Sequence, residues 1–377
     1  MKLSGHVEKH SRKSWTLVVE LPPDPKTGKR RRMKKAVEAP NKKEAERLLR
    51  LWLTDLERTQ TLPSRITLAE WLDRWMRDRV VPRCAPKTVV GYRNCLAHIP
   101  PALGDKELQE LSAGEIQSWL SHLREAGKIG ARTQEYAFAV LRKALNDAVK
   151  SGELAFNPCL RCDPPRPSRP LTAAIPPEEL EHLLANAPKE FGRLMATAAF
   201  TGLRLGELLG LCWREVNLQE GWLQVVQAVQ VVEGRYLVRP PKQHSVRRIS
   251  LPPSLVSLLH EHRREQTARR LKAGPEWHDL DLVFPRPDGY YLHPSTVYHQ
   301  FRRLCLEILG KPYRFHDLRH THATLLMLED THPRVVQARL GHSQISVTMD
   351  LYSHVLPQQD REAAETLENL VNKKKYG

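Results

Sequence analysis

The chain has few cysteines, and their arrangement suggests neither a disulfide framework nor a metal site. Six cysteines are scattered over 377 residues. The one close pair, Cys159 and Cys162, has neither a second pair nor a histidine at ligand spacing, so we do not expect zinc there. Without a disulfide framework, the thiols are expected to be reduced, as in a reducing cytosol.

Long apolar segments are missing as well. The first residues, Met-Lys-Leu-Ser-Gly-His, lack the apolar core of a signal peptide. The longest nearly apolar run, residues 194–203, is too short to span a bilayer. The sequence also lacks internal repeats, low-complexity segments and the cluster of Asp and Glu that a two-metal nuclease would need. We therefore expect a soluble, cytoplasmic protein with no membrane partner and no metal.

Positive charge dominates the composition. The formal net charge is +16, and residues 1–60 alone hold 16 Lys and Arg against 8 Asp and Glu, a surplus of 8. Such a balance points to a polyanionic partner and to a nucleic-acid contact near the N-terminus. A cationic face that is merely solvated stays open as the alternative, because composition alone does not separate the two.

Residues 1–62 are predicted to form a small sheet followed by a helix. Segments 15–21 and 30–39 are rich in strand-forming residues and flank a Pro-Lys-Thr-Gly-Lys turn, and a shorter strand precedes them near residues 6–9. Asn41 then caps an amphipathic helix. The first module is therefore expected to be a three-stranded sheet plus a helix.

A helical bundle and a longer mixed region follow. Capping boxes at Thr67 and Ser112, with the apolar periodicity around them, predict four or five helices over 65–156. Seven prolines then mark 157–177 as an extended linker. Residues 178–377 are mostly helical by spacing. Three strands are predicted inside that last region, at 222–232, 236–238 and 247–251. The whole chain is thus expected to be multidomain and mainly α with small β-sheets.

Three short motifs in the second half of the chain contain its most informative side chains. They are Thr-Gly-Leu-Arg-Leu-Gly-Glu (201–207), His-Asp-Leu-Arg-His (316–320) and Leu-Gly-His (340–342), with Tyr352 ten residues past the last. Guanidinium groups suit a phosphate, because they are always charged and their planar fork matches two phosphate oxygens. Histidines can transfer protons, and a phenol can act as the nucleophile. The set predicts cleavage of a phosphodiester without a metal.

Local spacing leaves several roles open. Arg204 is expected to begin a helix with Glu207 on the same side, which is compatible with a simple intrahelical ion pair. His316 and Arg319 share the first turn of another helix. His320 and His322 lie beside them, and by spacing alone any one of these histidines could be a buried structural residue. Gly341 is expected to end a further helix in the left-handed conformation.

At these residues the chain resembles the tyrosine recombinases, the phage-integrase family. The stretch Phe-His-Asp-Leu-Arg-His-Thr-His-Ala-Thr (315–324) matches the family motif nearly residue for residue. The resemblance implies a catalytic set with one supporting acidic residue. The catalytic residues are Arg204, Lys242, His316, Arg319, His342 and Tyr352, and the supporting residue is Glu207. It further implies that Tyr352 attacks the phosphorus, giving a 3′-phosphotyrosyl bond and a free 5′-hydroxyl, and that no cofactor, ATP or metal is required.

The resemblance also assigns the modules and their partners. It implies an arm-type DNA-binding domain at 1–62, a core-binding domain at 65–156 and a catalytic domain at 178–377. The residues placed nearest to arm-type DNA are Lys13, Trp15, Arg30, Arg31, Arg32 and Lys34, although strand alternation lets only some of them share one face. The implied partner is double-stranded DNA with core-type and arm-type sites. A homotetramer on paired sites, a DNA-bending protein, an excisionase and association with the nucleoid are implied as well.

Some alternatives are left open by the sequence. The favoured reading is an integrase that integrates or excises a mobile element. A chromosome or plasmid dimer resolvase, or a transposon recombinase, would use the same chemistry, although resolvases usually lack an extra basic module. A non-catalytic architectural DNA-binding protein is disfavoured because all six catalytic residues are present. Lys242 could be a plain DNA contact, and the amphipathic segment 358–372 could pack on its own domain or on a neighbouring protomer.

Overall fold

The computed structural model describes residues 4–11, 14–21, 31–59, 66–167, 174–241 and 246–341, with side chains in the first helix described up to residue 54. The chain divides into two units, Met1–Arg169 and Pro170–Gly377. No helix within the described ranges is long and apolar enough to cross a membrane. The predicted fold class, mainly helical with small sheets, is confirmed.

The first unit begins with an antiparallel sheet of order β1-β2-β3, packed on helix α1. Its elements are β1 (Ser4–Lys9), β2 (Ser14–Leu21), β3 (Arg31–Glu38), α1 (Lys42–Thr59), α2 (Leu68–Trp75), α3 (Pro86–Leu96), α4 (Pro101–Gly104), α5 (Ala113–Ala126) and α6 (Ala131–Lys150). The predicted cap is present, because the Glu44 backbone N–H donates to Asn41 Oδ1 at 2.9 Å. The three predicted strands and the helix after them are confirmed, whereas the turn predicted at 25–29 lies outside the described residues.

Helices α2–α6 form a bundle around buried tryptophans. Both predicted capping boxes are present, at Thr67 and Ser112. Trp71 donates its indole N–H to the carbonyl oxygen of Ala144 at 3.0 Å, and Trp75 donates to Asp147 Oδ2 at 2.9 Å. Buried indoles combine a large apolar surface with a donor that needs a partner. These bonds therefore fix α2 against α6 in both packing and register.

The predicted linker at 157–177 differs from the structure at both ends. Asn157 is buried, and its amide donates to the carbonyl oxygen of Arg142 at 2.9 Å and to Asn146 Oδ1 at 2.7 Å. The following turn, Pro158–Arg161, packs Cys159 into the core of the bundle. At the other end Ile175 is fully buried in the second unit. The two ends of the predicted linker therefore belong to the packed units, because Asn157, Cys159 and Ile175 are buried there.

The second unit is mostly helical. Its elements are α7 (Pro177–Asn186), α8 (Lys189–Thr201), α9 (Leu205–Leu209), β4 (Val216–Asn217), β5 (Trp222–Val225), β6 (Ala228–Val232), β7 (Arg235–Arg239), β8 (Arg247–Ser250), α10 (Pro253–Ala273), α11 (Pro294–Leu309), α12 (Asp317–Leu328) and α13 (Pro333–Leu340). Helix α8 contains most of the apolar run 194–203 and is buried from Phe191 to Ala199, with α10 and α12 packed against it. The longest apolar stretch of the chain is thus the centre of this core.

The described strands of the second unit form two sheets, whereas we predicted one sheet of three strands. β5 pairs with β4 and β8, whereas β6 pairs with β7 in a separate hairpin. The predicted strand 222–232 is interrupted between β5 and β6. There the amide of Gln227 donates to the carbonyl oxygen of Gly210 at 2.8 Å and also contacts the Cys212 sulfur. A tertiary side-chain contact therefore breaks a segment with continuous strand propensity.

Candidate active site

Arg204 lies at the junction between helices α8 and α9. Helix α8 is capped at its C-terminal end by Gly202, which has a positive φ of 65°, and Arg204 is the N-cap residue of α9. The backbone N–H of Arg204 donates to Glu207 Oε2, and its Nη1 donates to Glu207 Oε1, both at 2.9 Å. Glu207 thus holds the main chain and the side chain of Arg204 at once. The side chain of Arg204 keeps about a third of its surface exposed, at 32%.

Glu207 is buried and binds a second arginine. Arg247, in strand β8, donates from Nη1 to Glu207 Oε1 at 3.2 Å and from Nη2 to Glu207 Oε2 at 2.8 Å. Burial alone would raise the pKa of the Glu207 carboxyl, but the hydrogen bonds and charges of Arg247 and Arg204 hold it below its ordinary value. The role of Glu207 is therefore wider than the intrahelical ion pair that spacing suggests.

His316 and Arg319 are positioned by the start of helix α12. His316 is the N-cap residue, and the turn before it is fixed by Arg314, whose backbone and guanidinium N–H groups donate to Asp317. Arg319 is 3% exposed. Its Nη1 donates to the carbonyl oxygen of Gly202 and its Nη2 to that of Leu340, the latter at 2.6 Å. The second motif is thereby joined to the first.

Three arginines from different parts of the unit meet at the C-terminal end of helix α13. The carbonyl oxygen of Arg339 accepts from Arg247 Nε at 2.7 Å, and that of Gly341 accepts from Arg204 Nη2 at 3.3 Å. The carbonyl oxygen of Leu340, between them, accepts a hydrogen bond from Arg319 Nη2. The last carbonyls of a helix lack intrahelical partners and carry partial negative charge, so cations are favoured there. Each of three successive carbonyls is satisfied by a different guanidinium.

The charges at this place do not balance. Arg204, Arg247 and Arg319 contribute three positive charges and Glu207 one negative charge, so these four side chains have a surplus of two. Burial, followed by the charge of Arg204, lowers the pKa of Arg319 to about 9. A surplus of buried or half-buried positive charge is stabilised by an anion. The arrangement is thus suited to bind a phosphate group.

The three histidines of the second motif and its continuation have distinct surroundings. Burial, then the charges of His320, Arg319 and Arg204, lower the pKa of His316 to about 4, so its imidazole is neutral at pH 7 in the free protein. The His316 and His320 rings lie perpendicular to each other, 4.7 Å apart. His322 is 7% exposed and donates from Nδ1 to the carbonyl oxygen of Ala199 at 2.9 Å. His322 is therefore a structural residue, a distinction that spacing did not provide.

The structure brings together four of the predicted site residues: Arg204, Glu207, His316 and Arg319. Lys242, His342 and Tyr352 lie outside the described residues, as does the segment 358–372. Arg247 was not predicted from the sequence. A signal was present, because period-two alternation in the predicted strand 247–251 puts Arg247 on the same face as the apolar Ile249. A charged residue on a buried strand face requires a partner.

The predicted arm-DNA residues do not share one face of the N-terminal sheet. Trp15 requires a correction: it is 5% exposed, it packs between the sheet and α1, and its indole N–H donates to the carbonyl oxygen of Ala39 at 3.0 Å. Alternation in β3 places Arg31 on the helix-facing side. Arg32 and Lys34 lie on the open face, beside Glu20 (3.1 Å) and Glu8 (3.4 Å), respectively. The remaining two residues, Lys13 and Arg30, lie outside the described residues.

All six cysteines lie in described segments and are free. Cys162 donates from Sγ to the carbonyl oxygen of Ala113 at 3.4 Å, and burial raises the pKa of Cys159 to about 12. Within the described ranges, no group of three or more His, Cys, Asp or Glu side chains is arranged to hold a metal ion.

Comparisons with known proteins identify relatives of this chain. Residues 174–359 match the model described as the phage integrase family, and residues 67–124 match that of the N-terminal SAM-like domain of phage integrases. The chain is similar to a XerC-like tyrosine recombinase of Caldanaerobacter subterraneus. The two are 30% identical over 331 residues, which cover 81% of this chain and 83% of the relative.

Solved structures share the fold. One is the Tn1549 transposon integrase in complex with transposon right-end DNA. It has a TM-score of 0.68 and 20% identity, over 80% of this chain and 100% of that chain. Another is a lambda integrase tetramer bound to a Holliday junction. It has a TM-score of 0.58 and 19% identity, over 92% of this chain and 94% of that chain. At these identities the likeness concerns the fold.

Proposed function

The chain belongs to the phage integrase family of tyrosine recombinases, and from that membership we propose that it is a site-specific DNA integrase. It cleaves and rejoins DNA through a 3′-phosphotyrosyl intermediate and thereby integrates or excises a mobile element. The observation that carries this proposal is the meeting of Arg204 and Arg319 beside His316, with a surplus of positive charge that suits a scissile phosphate.

The proposed reaction exchanges one phosphodiester for another. Tyr352 Oη attacks the phosphorus, the bond from phosphorus to the 5′-oxygen breaks, and a 3′-phosphotyrosyl bond forms. The phenol gives up its proton with His316 as the base, and Lys242 protonates the departing 5′-oxygen. A neutral His316 is able to accept that proton. Reversal by a 5′-hydroxyl of the partner strand completes strand exchange without a net consumption of water.

Arg204 and Arg319 stabilise the transition state in this proposal. Their guanidinium groups neutralise the charge that develops on the non-bridging phosphate oxygens, and His342 adds a hydrogen bond. Arg319 donates two of its N–H groups to the carbonyl oxygens of Gly202 and Leu340 and has five in all, so others are available for phosphate. Because those carbonyls already hold the guanidinium in place, little reorganisation is needed when the substrate binds.

The proposed modules are an arm-type DNA-binding domain at 1–62, a core-binding domain at 65–156 and a catalytic domain at 178–377. Arg32 and Lys34, on the open face of the N-terminal sheet, are the described residues proposed to contact arm-type DNA. Trp15 is left out because it is buried. A homotetramer on paired sites is proposed by analogy with the lambda integrase tetramer, and a DNA-bending protein and an excisionase are proposed as accessory partners.

A second candidate is a recombinase with the same chemistry that moves a transposon. The likeness of the fold to the Tn1549 transposon integrase supports it. The two candidates differ in their DNA and not in their active site. The DNA sequence that the protein cleaves distinguishes the two candidates, because an integrase attachment site and the ends of a transposon lie in different flanking DNA.

A covalent-trapping assay tests the proposed function. The full-length protein is mixed in EDTA with nicked duplexes that tile the DNA flanking its gene, with and without cell extract, and is then run on a denaturing gel. Tyr352→Phe removes the nucleophile, and Tyr298→Phe makes the same change at an exposed tyrosine of α11. We expect an adduct with the wild-type protein and with Tyr298→Phe, and none with Tyr352→Phe. Salt-sensitive binding without an adduct under any condition would instead indicate an architectural protein.

A further inference from the structure

Arg247 lies at the centre of the site although it belongs to none of the three motifs. On the basis of the proposed function, we propose that Arg247 is a positioning residue for DNA cleavage. It neutralises Glu207 and holds the end of helix α13, so that the positive charges of Arg204 and Arg319 are directed at the scissile phosphate. Nothing in the proposed reaction requires Arg247 to touch DNA, and each of its three guanidinium nitrogens already donates to a group of the protein.

The contacts of Arg247 use all three nitrogens of its guanidinium group. Nη1 and Nη2 donate to the two carboxylate oxygens of Glu207, while Nε donates to the carbonyl oxygen of Arg339. The planar fork of arginine can make both contacts at once, whereas the single ammonium of lysine lacks that geometry. Strand β8, helix α9 and the end of helix α13 are thereby joined by one side chain.

The turn that ends α13 is also shaped around Arg247. Gly341 has a positive φ of 64°, and a Cβ atom added there would lie 3.0 Å from Arg247 Nη1 and 3.1 Å from its Cδ. The Arg247 side chain therefore packs closely against this turn, in space that the Cβ atom of any other residue at position 341 would enter. The same turn supplies the carbonyl oxygens that receive Arg319 and Arg204. A displacement of Arg247 would thus be transmitted to both other arginines.

The balance of charge explains why a second arginine is needed beside Glu207. With Arg247 present, Arg247 and Glu207 form a neutral pair, and the charges of Arg204 and Arg319 remain available to the phosphate. Without Arg247, the carboxylate of Glu207 would be neutralised by Arg204, to which it is already hydrogen-bonded at 2.9 Å. The positive charge offered to the transition state would then fall from two to one.

The test is the single-turnover rate of covalent adduct formation by the full-length protein, in EDTA, at saturating concentration of the nicked duplex that the wild type cleaves. The variants are Arg247→Met, Arg247→Lys, Glu207→Gln and the double variant Arg247→Met with Glu207→Gln. The control is Arg248→Met, which removes the same charge from the neighbouring, exposed residue of β8, paired with Glu220. DNA affinity and the far-UV circular dichroism spectrum are measured for each protein.

We expect Arg247→Met to slow adduct formation about 100-fold, the size of effect that misplaced catalytic groups produce. Arg247→Lys keeps the charge but not the fork, so we expect an intermediate loss of about 10-fold. Arg248→Met should stay within about 2-fold of the wild type, as surface substitutions do. The double variant restores the charge balance, because an uncharged methionine and an uncharged glutamine replace the ion pair of Arg247 and Glu207, which also has no net charge. It should therefore be about 10-fold faster than Arg247→Met alone, a coupling of the size that contacting residues show.

A merely structural role would give a different pattern. The losses of Arg247→Met and Glu207→Gln would then multiply, and a double variant slower than either single variant would overturn the inference. Adduct formation by Arg247→Met within about 3-fold of the wild type would overturn it as well. If Arg247→Met does not fold, Arg247→Lys and the double variant decide between these outcomes. The absence of an adduct from the wild type itself would instead overturn the proposed function.

Discussion

Substitution of Glu207 by glutamine removes the one carboxylate that the described residues place among Arg204, Arg247 and Arg319. Glu207 accepts four hydrogen bonds, from the backbone and Nη1 of Arg204 and from both terminal nitrogens of Arg247, and only 3% of its surface is exposed. A glutamine retains one acceptor oxygen but turns an N–H₂ group towards a guanidinium. Within the part of the chain that the structure describes, the three positive charges would then have no counter-charge.

The size of the effect follows from this environment. Removing one partner of a buried ion pair costs about 3–5 kcal/mol, because the other charge is left uncompensated. Some hydrogen bonding survives in glutamine and Arg204 is partly exposed, so we expect the lower end, about 3 kcal/mol. For a unit of this size each kcal/mol lowers the melting temperature by about 2–4 °C. The second unit should therefore melt about 6–12 °C lower.

Differential scanning calorimetry of the full-length protein measures this shift. The matched control is Glu220→Gln, which breaks the exposed pair with Arg248, separated by 3.1 Å. Such surface pairs contribute at most about 1 kcal/mol. Phosphate in the buffer should stabilise Glu207→Gln more than the wild type, because the variant has the larger surplus of positive charge. Equal shifts for Glu207→Gln and Glu220→Gln would refute the reasoning that the carboxylate balances buried arginines.

Two further predictions concern the surroundings of the site. Gly202→Ala should lower the free energy of unfolding by about 3 kcal/mol, because Gly202 has a positive φ and an added Cβ lies 2.6 Å from Leu340 Cδ2. Gly234 also has a positive φ, but no atom lies within 4 Å of an added Cβ, so Gly234→Ala should lower it by only about 1 kcal/mol. Thermal unfolding checks both, and equal losses would contradict the steric argument. Burial, then the charge of Arg339, lowers the pKa of His322 to about 4, from an ordinary value of 6.5. Between these two pH values the unfolded chain binds a proton at His322 that the folded chain does not. The free energy of unfolding therefore falls as the pH falls from 6.5 to 4. His322→Asn should reduce this slope in unfolding experiments, and an unchanged slope would exclude His322 as its source.

Several local features of the molecule could be predicted because nearby residues determine them. The capping box at Thr67 begins α2, Asn41 caps α1, and Gly341 ends α13 in the left-handed conformation, as expected. In each case the satisfied N–H or C=O groups lie within four residues of the residue that determines the element. The order of strands and helices in the N-terminal module follows from the same kind of local signal.

Other features depended on contacts that no local pattern contains. Trp15 lies in a strand of the basic N-terminal module and was expected near DNA, but it packs under α1. Strand alternation puts it on the face of the sheet that the helix covers. Gln227 divides a predicted strand through its bond to Gly210. Asn157 docks the start of the predicted linker on the bundle. In all three cases the partner is 15 or more residues away in the chain.

The sequence by itself determined which chemical groups this protein has: two arginines, histidines and a tyrosine in motifs that resemble those of tyrosine recombinases. Only the tertiary structure decided that Arg247 joins them, that Glu207 serves two arginines, and that the end of α13 receives all three guanidinium groups. The physical reason is distance along the chain. The bond between Arg204 and Gly341 spans 137 residues, so its existence depends on the packing of the whole unit around helix α8.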